Sequence, residues 1–482
     1  MKVNNFISFL LIAVVLYSII FIGITGCANI VPPSGGLRDS LPPVLISATP
    51  KDSAKNVTTQ KISISFNEFV ELREASQKLL ISPYPVKQVE TEVKLKNIII
   101  RLKDSLLPNT TYVIDFGDAI VDLNEGNVLK NFRYVFSTGT TIDSNELRGK
   151  IINAENGKTD STFFAVLYRK QEDSTVAKEK PAYVSRVDSE GNFQFTNLPA
   201  GKFYVYALQD ADGDKRYNQP TEPFAFLDSA VVINKETKNV LLYAFAAEKE
   251  KERRPPTTQL KPEKGVVIKR LIYTTNLESG LQQDLLDSLK LSYQKPLRKA
   301  DTSQIILVKD STTVVKNYTI KNDTANKRII VFTNWQEGAN YTLFLTKTYA
   351  EDTSGLKPNK VDTIKFRVKA EKEYGSIRLR FKNLDLTKNP VLLLYSGEQL
   401  VGSYPLTGNE WLKKLYKPGE YQVRILFDAN KNGVWTAGNF FSKPRKQPEQ
   451  VQSINSSIVV KPNWDNEANI DLYNDPKPKE QF

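Results

Sequence analysis

Residues 62–66 have the sequence Ile-Ser-Ile-Ser-Phe, in which apolar and polar side chains alternate with a period of two. Residues 112–116 and 132–136 show a similar pattern, and Pro, Asn and Gly separate such runs along most of the chain. Alternation of this kind turns one face of a strand to a core and the other to solvent. Few windows have apolar residues at helical spacing, and residues 284–291 are the best of them. We therefore predict an all-β fold of tandem antiparallel β-sandwiches.

The composition excludes most kinds of catalytic site. The chain has 482 residues with no His, and its single Cys is Cys27. This excludes Ser-His-Asp and Cys-His catalysis, zinc sites built on His or Cys, haem ligation and internal disulfides. A carboxylate-dependent hydrolase stays open as the alternative, but no acidic pair stands out, so we expect no enzymatic activity. Basic residues are spread along the chain and give a net charge of +12, which favours a Lys-rich solvated surface over nucleic-acid binding.

The N-terminus carries the most specific signal. An uncharged, mostly apolar run from Phe6 to Ile24 leads into the sequence Ile-Thr-Gly-Cys at residues 24–27. The pattern resembles a bacterial lipoprotein signal peptide with its lipobox. The resemblance implies that residues 1–26 are removed and that Cys27 is lipidated on its sulfur, which anchors the protein to a membrane without spanning it. An uncleaved transmembrane helix is the alternative, because the run is long enough to span a bilayer.

Residues 27–43 are rich in Pro and Gly, which is typical of a flexible tether. Ala28 follows the lipidated Cys where inner-membrane lipoproteins of enteric bacteria usually have Asp, so the resemblance implies the outer membrane. No acidic cluster of the kind that sends some lipoproteins to the cell surface follows Cys27. This favours the periplasmic face over the cell surface.

The first folded segment, residues 44–141, contains a set of short motifs. They are Thr-Pro at 49–50, the strand and Asn-Glu-Phe-Val at 62–70, Leu-Pro-Asn-Thr-Thr-Tyr at 107–112, the polar stretch 122–127 and residues 134–139. Together they resemble the bacterial Ig-like domain first described in S-layer proteins. The resemblance implies a seven-stranded sandwich that serves as a spacer or binding module and has no catalytic residues. The polar residues Asp122, Asn124 and Asn127 fit a turn between strands, with a metal loop as the alternative.

The second segment, residues 146–247, has a different signature. Residues 188–193 are Asp-Ser-Glu-Gly-Asn-Phe, and residues 198–205 are Leu-Pro-Ala-Gly-Lys-Phe-Tyr-Val. These motifs resemble the transthyretin-like modules found beside carboxypeptidases and in surface adhesins. Gly191 and Gly201 would supply tight turns, and the aromatic residues that follow would fill one face of a sheet.

The same two patterns recur after residues 248–264, a charge-dense, Pro-containing stretch that we interpret as an exposed linker. Residues 339–343 resemble 109–113, and residues 417–423 line up with 198–205. This predicts a degenerate Ig-like domain at 265–370, a second transthyretin-like sandwich at 371–475 and a tail at 476–482. The order is A-B-A′-B′, and cleavage of the linker should give two stable A-B halves.

Two loops of the B modules place oxygen side chains at positions 1, 3 and 5. The residues are Asp210, Asp212 and Asp214 in the second segment, and Asp428, Asn430 and Asn432 in the fourth. The spacing matches the start of Ca²⁺ loops, so a structural Ca²⁺ is the one cofactor that the sequence suggests. Neither loop has an acid at position 12, and Glu222 comes one residue late. A polar hairpin is the alternative.

Asp followed by Ser or Thr and then Ala, Leu, Ile or Thr recurs along the chain. This pattern resembles the O-glycosylation motif of a large group of Gram-negative bacteria, although Asp-Ser is also common in turns and caps. The acceptor residues would be Ser40, Ser53, Ser105, Ser161, Ser174, Ser229, Ser288, Ser311, Thr324 and Thr363.

These observations predict a non-enzymatic outer-membrane lipoprotein. Its task would be that of a structural or binding scaffold, or an accessory subunit, in a cell-envelope assembly. The expected partners are the membrane, through the lipid, and an envelope protein or a glycan. A surface adhesin or glycan-binding protein is the alternative.

Overall fold

The computed structural model describes residues 12–14, 38–170, 172, 174–248, 270–310 and 312–472. Cys27, Ser311, residues 249–264 of the linker and the tail 476–482 lie outside these ranges. Outside residues 12–14, which are helical, helical structure in the described part is confined to short turns, so the all-β prediction is confirmed. The α-helices are Ala75–Lys78 (α1) and Thr175–Lys178 (α2), and the 3-10 helices are Thr302–Gln304, Glu371–Glu373 and Leu386–Lys388. No helix within the described ranges is long and apolar enough to cross a membrane.

The chain divides into two compact units. Of the described residues, one unit comprises those up to Leu80 together with Lys87–Leu107 and Ile114–Phe136, and the other comprises Ile81–Val86, Pro108–Val113 and those from Ser137 onward.

The strands of the first segment form three sheets with the orders β1-β2-β6-β5, β10-β7-β4 and β3-β8-β9. In β2 the side chains of Ile62, Ile64 and Phe66 are buried and the serines between them are half-exposed, as the alternation predicts. The ten strands are β1 (Leu45–Thr49), β2 (Lys61–Phe66), β3 (Val70–Leu72), β4 (Leu80–Ser82), β5 (Glu90–Lys94), β6 (Asn97–Arg101), β7 (Thr111–Gly117), β8 (Ile120–Asp122), β9 (Val128–Leu129) and β10 (Phe132–Ser137).

The second segment has two sheets. In the first, β11 lies between an antiparallel and a parallel neighbour, in the order β14-β11-β18, and the second has the order β13-β12-β15-β16 with β17 also on β15. Its strands are β11 (Asn145–Asn153), β12 (Phe164–Tyr168), β13 (Tyr183–Arg186), β14 (Asn192–Leu198), β15 (Gly201–Leu208), β16 (Phe224–Phe226), β17 (Val231–Ile233) and β18 (Val240–Ala244).

The third segment has the strand order of the first. Its sheets are β19-β21-β26-β25, β20-β29-β27-β23-β24 and β22-β28. They match those of the first segment, except that β20 and β24 are added and that the described residues contain no counterpart of β9. The strands are β19 (Tyr273–Thr275), β20 (Gln282–Gln283), β21 (Leu289–Tyr293), β22 (Leu297–Ala300), β23 (Ile305–Lys309), β24 (Thr313–Val314), β25 (Tyr318–Asn322), β26 (Arg328–Thr333), β27 (Asn340–Leu345), β28 (Ala350–Asp352) and β29 (Asp362–Val368).

The fourth segment likewise has the strand order of the second. The sheets are β33-β30-β36, again with one antiparallel and one parallel neighbour on the central strand, and β32-β31-β34-β35. The strands are β30 (Gly375–Lys382), β31 (Pro390–Ser396), β32 (Gln399–Pro405), β33 (Glu410–Tyr416), β34 (Gly419–Phe427), β35 (Gln450–Val460) and β36 (Asp465–Asp471).

The window with helical spacing at 284–291 does not form a helix. Asp284 accepts a hydrogen bond from the backbone N–H of Leu286 at 2.8 Å, and the Gln283 side chain donates to the backbone carbonyl of Asp287 at 2.8 Å. The second half of the window joins β21. Polar side chains that bond the nearby backbone compete with helical hydrogen bonds, and here they hold a turn.

The second and fourth segments pack directly against each other through an aromatic joint. We use this name for six side chains that are each 2% exposed or less, namely Tyr206, Tyr217, Phe224, Phe226 and Phe245 of the second segment and Phe440 of the fourth. The Phe440 ring lies edge-on to Phe224 and Phe226, with centroid distances of 5.2 Å to each. Phe440 belongs to the long connection between β34 and β35, whereas β15 and β16 have a shorter one.

Backbone contacts accompany the aromatic joint. The N–H of Val451 donates to the carbonyl of Ala154 at 2.8 Å, and the Gln447 side chain donates to the carbonyl of Phe226 at 3.2 Å. Within the described residues, the two A-B halves predicted from the sequence are therefore in contact, because the second segment buries large side chains against the fourth. The sequence pattern does not predict this contact, because the residues that make it come from one long loop and a distant sheet.

Candidate functional site

The first Asp loop follows β15, where the chain leaves the sheet before returning at β16. Asp210 stands at its start, and its side chain is fully buried. The backbone N–H of Lys215 donates to Asp210 Oδ1 at 3.0 Å, and the Lys215 ammonium contacts Oδ2. The loop is therefore closed on itself by a buried carboxylate.

Three carboxylates converge in this loop. Oxygen atoms of Asp210, Asp212 and Glu222 all lie within 4.8 Å of one another. The sequence spacing predicts the first two residues as ligands. Glu222 does not fit the spacing of a twelve-residue Ca²⁺ loop, because the loop here is one residue longer.

Glu222 is unusual for a glutamate, since only 3% of it is exposed. Its Oε1 accepts a long hydrogen bond, 3.4 Å, from the backbone N–H of Ala211, and its Oε2 has no hydrogen-bond partner. Burial, together with the negative charges of Asp212 and Asp210, raises the pKa of Glu222. The carboxylate is thus held where its charge is poorly compensated.

Asp214, the third predicted ligand of this loop, stands outside the group of three. Its oxygens accept from the backbone N–H of Arg216 at 2.7 Å and from the Asn218 amide at 2.8 Å. Burial raises the pKa of Asp214, and the neighbouring carboxylates of Asp212 and Asp210 act in the same direction. Its role in the described structure is to close the turn.

The second Asp loop follows β34 and has the same backbone form. Residues at positions 4 and 6 have positive φ in both loops, Gly213 and Lys215 in the first and Lys431 and Gly433 in the second. Asp428, at position 1, is buried and accepts from the N–H of Gly433 at 2.6 Å. The two loops are therefore structural counterparts.

The counterpart of Glu222 in the second loop is Glu449, which is 8% exposed. Its two oxygens accept from the backbone N–H of Asn430 at 3.2 Å and of Thr436 at 2.9 Å. The amides of Asn430 and Asn432 donate to the Thr436 hydroxyl. Neutral amides and N–H donors thus fill the place that carboxylates occupy in the first loop.

The Asp122 turn joins β8 to β9. Buried Asp122 accepts from the backbone N–H of Asn124 at 2.9 Å and of Glu125 at 3.0 Å. In the third segment, Asp352 accepts from Ser354 at 2.8 Å and from Leu356 at 3.0 Å, at the end of β28. The carboxylates serve as turn acceptors at matching places, as the turn interpretation predicts.

Nine of the ten predicted glycan acceptors are described. All are exposed except Ser288, which is half-buried. Several of the aspartates that directly precede these acceptors accept hydrogen bonds from backbone N–H groups. Asp52 accepts from Val135 at 2.9 Å, and Asp323 accepts from Lys327 at 2.7 Å. The exposure of the Ser and Thr side chains is compatible with glycosylation, and the hydrogen bonds of the aspartates are typical of turns. The glycosylation sites therefore stay predictions.

Residues 39–138 match the protein family described as "Bacterial Ig-like domain". The match confirms the Ig-like prediction for the first segment, which the sequence predicts at residues 44–141. No curated protein matches the chain.

Several solved structures are similar to the chain at low identity. The TIE protein of Bacillus anthracis is 12% identical, over 92% of this chain and 76% of that one, with a TM-score of 0.16. BcpA, the major pilin subunit of Bacillus cereus, is 11% identical, over 68% and 99%, with a TM-score of 0.17. The N-terminal part of the bacterial S-layer protein SbsC is 15% identical, over 42% and 44%, with a TM-score of 0.16. Similarity at this level does not extend to function.

Proposed function

We propose that the protein is a non-enzymatic, lipid-anchored scaffold or accessory subunit of a bacterial envelope assembly. The aromatic joint is the observation that carries the proposal. A chain of loosely linked modules would keep its aromatic side chains within each module, whereas here Phe440 reaches from one module into the core of another. Such a contact fixes the relative position of two modules, which a scaffold needs.

The third segment is fixed to the fourth in a different way. The Tyr374 hydroxyl donates to Asp284 Oδ1 at 2.7 Å and accepts from the N–H of Leu285 at 2.8 Å. The Lys417 ammonium contacts the same aspartate and also lies 3.4 Å from Glu278 Oε1. Packing of the fourth segment against both the second and the third supports a rigid arm made of several modules.

The A-B-A′-B′ organisation is part of this proposal. It is supported by the matching strand orders of the first and third segments and of the second and fourth. In the proposal, lipid on Cys27 and the Pro/Gly-rich tether at 27–43 attach the arm to the outer membrane, on its periplasmic face.

Metabolic labelling in a Gram-negative host tests the anchor. Wild-type protein should incorporate an alkyne-tagged fatty acid and fractionate with the outer membrane. Cys27→Ser should remain an unlabelled precursor, while Ser34→Ala, in the same tether, should behave as wild type. A labelled, processed Cys27→Ser protein would show that the anchor lies elsewhere.

Chemical cross-linking on intact cells, followed by purification in detergent, tests the scaffold. The wild-type protein should yield a reproducible cross-linked envelope protein or a bound glycan, and Phe440→Ala should lose it while lipid labelling is unchanged. Equal recovery with Phe440→Ala would show that the rigid arm is not what the partner recognises.

A further inference from the structure

The strongest unexplained feature of the described residues is the charge of the first Asp loop. Asp210, Asp212 and Glu222 together bring three negative charges within 4.8 Å. Lys215 neutralises one of them through Asp210, and the nearby side chains of Asp214 and Arg216 carry charges of opposite sign. A charge of −2 remains, which a single divalent cation would balance.

The buried glutamate gives an independent reason to expect a ligand. Buried polar atoms in proteins almost always have hydrogen-bond partners, and an exception needs an explanation. Glu222 Oε2 is buried without a partner, on a carboxylate that faces Asp210 and Asp212. In the counterpart loop both oxygens of Glu449 accept hydrogen bonds from backbone N–H groups. A loop of this form can therefore supply donors to both carboxylate oxygens, but the first loop supplies none to Oε2 of Glu222.

We infer that Asp210, Asp212 and Glu222 form a binding site for a hard divalent cation, and that Ca²⁺ is the ion that fits. Oxygen ligands select hard cations, and two oxygens on one Ca²⁺ lie at most about 5 Å apart, because each bond is about 2.3–2.6 Å long. The observed separations meet that limit as they stand. Bonds to Mg²⁺ are about 2.0–2.1 Å, so the oxygens would have to move to within about 4.2 Å.

The site is accessible from solvent and is connected to the aromatic joint. Asp212 is exposed, so the site opens to solvent on the side of the loop. The same loop contains Tyr217, whose ring stacks on the rings of Phe224 and of Phe441 in the fourth segment, with centroid distances of 4.0 Å and 5.6 Å. An ion that holds both ends of the loop would therefore also stabilise the aromatic joint. This inference does not depend on the lipid anchor.

Calorimetric titration of the EDTA-treated, full-length protein with CaCl₂ tests the site. Wild type should bind one Ca²⁺ per chain and bind Mg²⁺ more weakly. Glu222→Gln and Asp212→Asn should each weaken Ca²⁺ binding by roughly tenfold or more, since affinity follows the number of charged ligands. Glu449→Gln, the matched change in the counterpart loop, should bind Ca²⁺ as wild type does.

Thermal unfolding separates a ligand role from a structural one. Without Ca²⁺, Glu222→Gln should melt no lower than wild type, because the neutral amide removes a repulsion between carboxylates. With millimolar Ca²⁺, wild type should melt at a higher temperature and Glu222→Gln should not respond. Absence of any heat or melting shift in wild type, or unchanged Ca²⁺ binding in Glu222→Gln, would overturn the inference.

Discussion

At the scale of single residues, a buried carboxylate can hold two modules together. Asp284 is 6% exposed and accepts from the hydroxyl of Tyr374, beside the ammonium of Lys417. Burial acts to raise the pKa of Asp284, but hydrogen bonds from Lys417, Leu286 and Tyr374 together hold it below its ordinary value of 3.8. A carboxylate with a lowered pKa stabilises the folded state above its ordinary pKa, and this stabilisation is lost as the pH falls through the lowered value.

Asp284→Asn should therefore lower the free energy of unfolding by about 2 kcal/mol at pH 7, the range for a hydrogen bond to a charged group. The difference from wild type should stay constant while the pH is above the ordinary pKa of 3.8, and it should shrink as the pH falls through the lowered value, because wild-type Asp284 then becomes protonated too. Urea unfolding at a series of pH values measures both effects. Asp287→Asn, which removes the partner of Lys290 in a surface ion pair, should change stability by only about 0–1 kcal/mol. A pH-independent effect of Asp284→Asn would contradict the assignment.

Gly157 has a residue-scale role of a different kind. Its φ is +68°, and a methyl group there would lie 2.6 Å from the carbonyl oxygen of Val451 and 2.7 Å from the N–H nitrogen of Ser453, both in β35. Gly157→Ala should lower the free energy of unfolding by about 1–2 kcal/mol because of the left-handed backbone, and by about 1–3 kcal/mol more because of overpacking. Gly397 has a similar φ of +57° and open space around it. Gly397→Ala should therefore lower the free energy of unfolding only by the part that comes from the left-handed backbone, about 1–2 kcal/mol. Equal melting temperatures for the two variants would show that β35 does not approach Gly157.

At the scale of elements, the sequence predicted the strands better than it predicted the loops and turns between them. The alternation at 62–66 predicted β2 because one face of that strand is buried and the other is not. The Asp loops were located from their spacing alone, but Glu222 was set aside because the connection is one residue longer than in the Ca²⁺ loops used as a guide. Residues 284–291 had helical spacing, and only the local bonds of Gln283 and Asp284 show why they form a turn.

The long connection between β34 and β35 is the element that joins the modules. Phe440 is 1% exposed within the aromatic joint, whereas the adjacent Phe441 is 51% exposed. Phe440→Ala should destabilise the protein by about 3–5 kcal/mol, as expected for a large side chain deleted from a core. Phe441→Ala removes a stacked contact with Tyr217 and an edge-on contact with Phe440, and should lower the free energy of unfolding by about 1–2 kcal/mol. Chemical unfolding of the two variants gives the comparison, and similar losses would place Phe440 outside the core.

At the scale of the whole molecule, the sequence indicated repeated segments but gave no sign of how the segments pack. Motifs at 339–343 and 417–423 indicated repeats, and the matching strand orders agree with that pattern. Packing of the second segment on the fourth depends on Phe440, Gln447 and Val451 meeting residues more than 200 positions away. Such long-range contacts leave no periodic signal in a single sequence.

The most direct test of the central claim is to cut the chain and ask whether the pieces stay together. A specific protease site inserted between Pro256 and Thr257 would separate the first and second segments from the third and fourth. The cut wild-type protein should elute from size exclusion as one species under native conditions, and so should cut Phe441→Ala. Cut Phe440→Ala should dissociate into two fragments. Separate elution of the wild-type fragments would contradict a buried joint between the second and fourth segments.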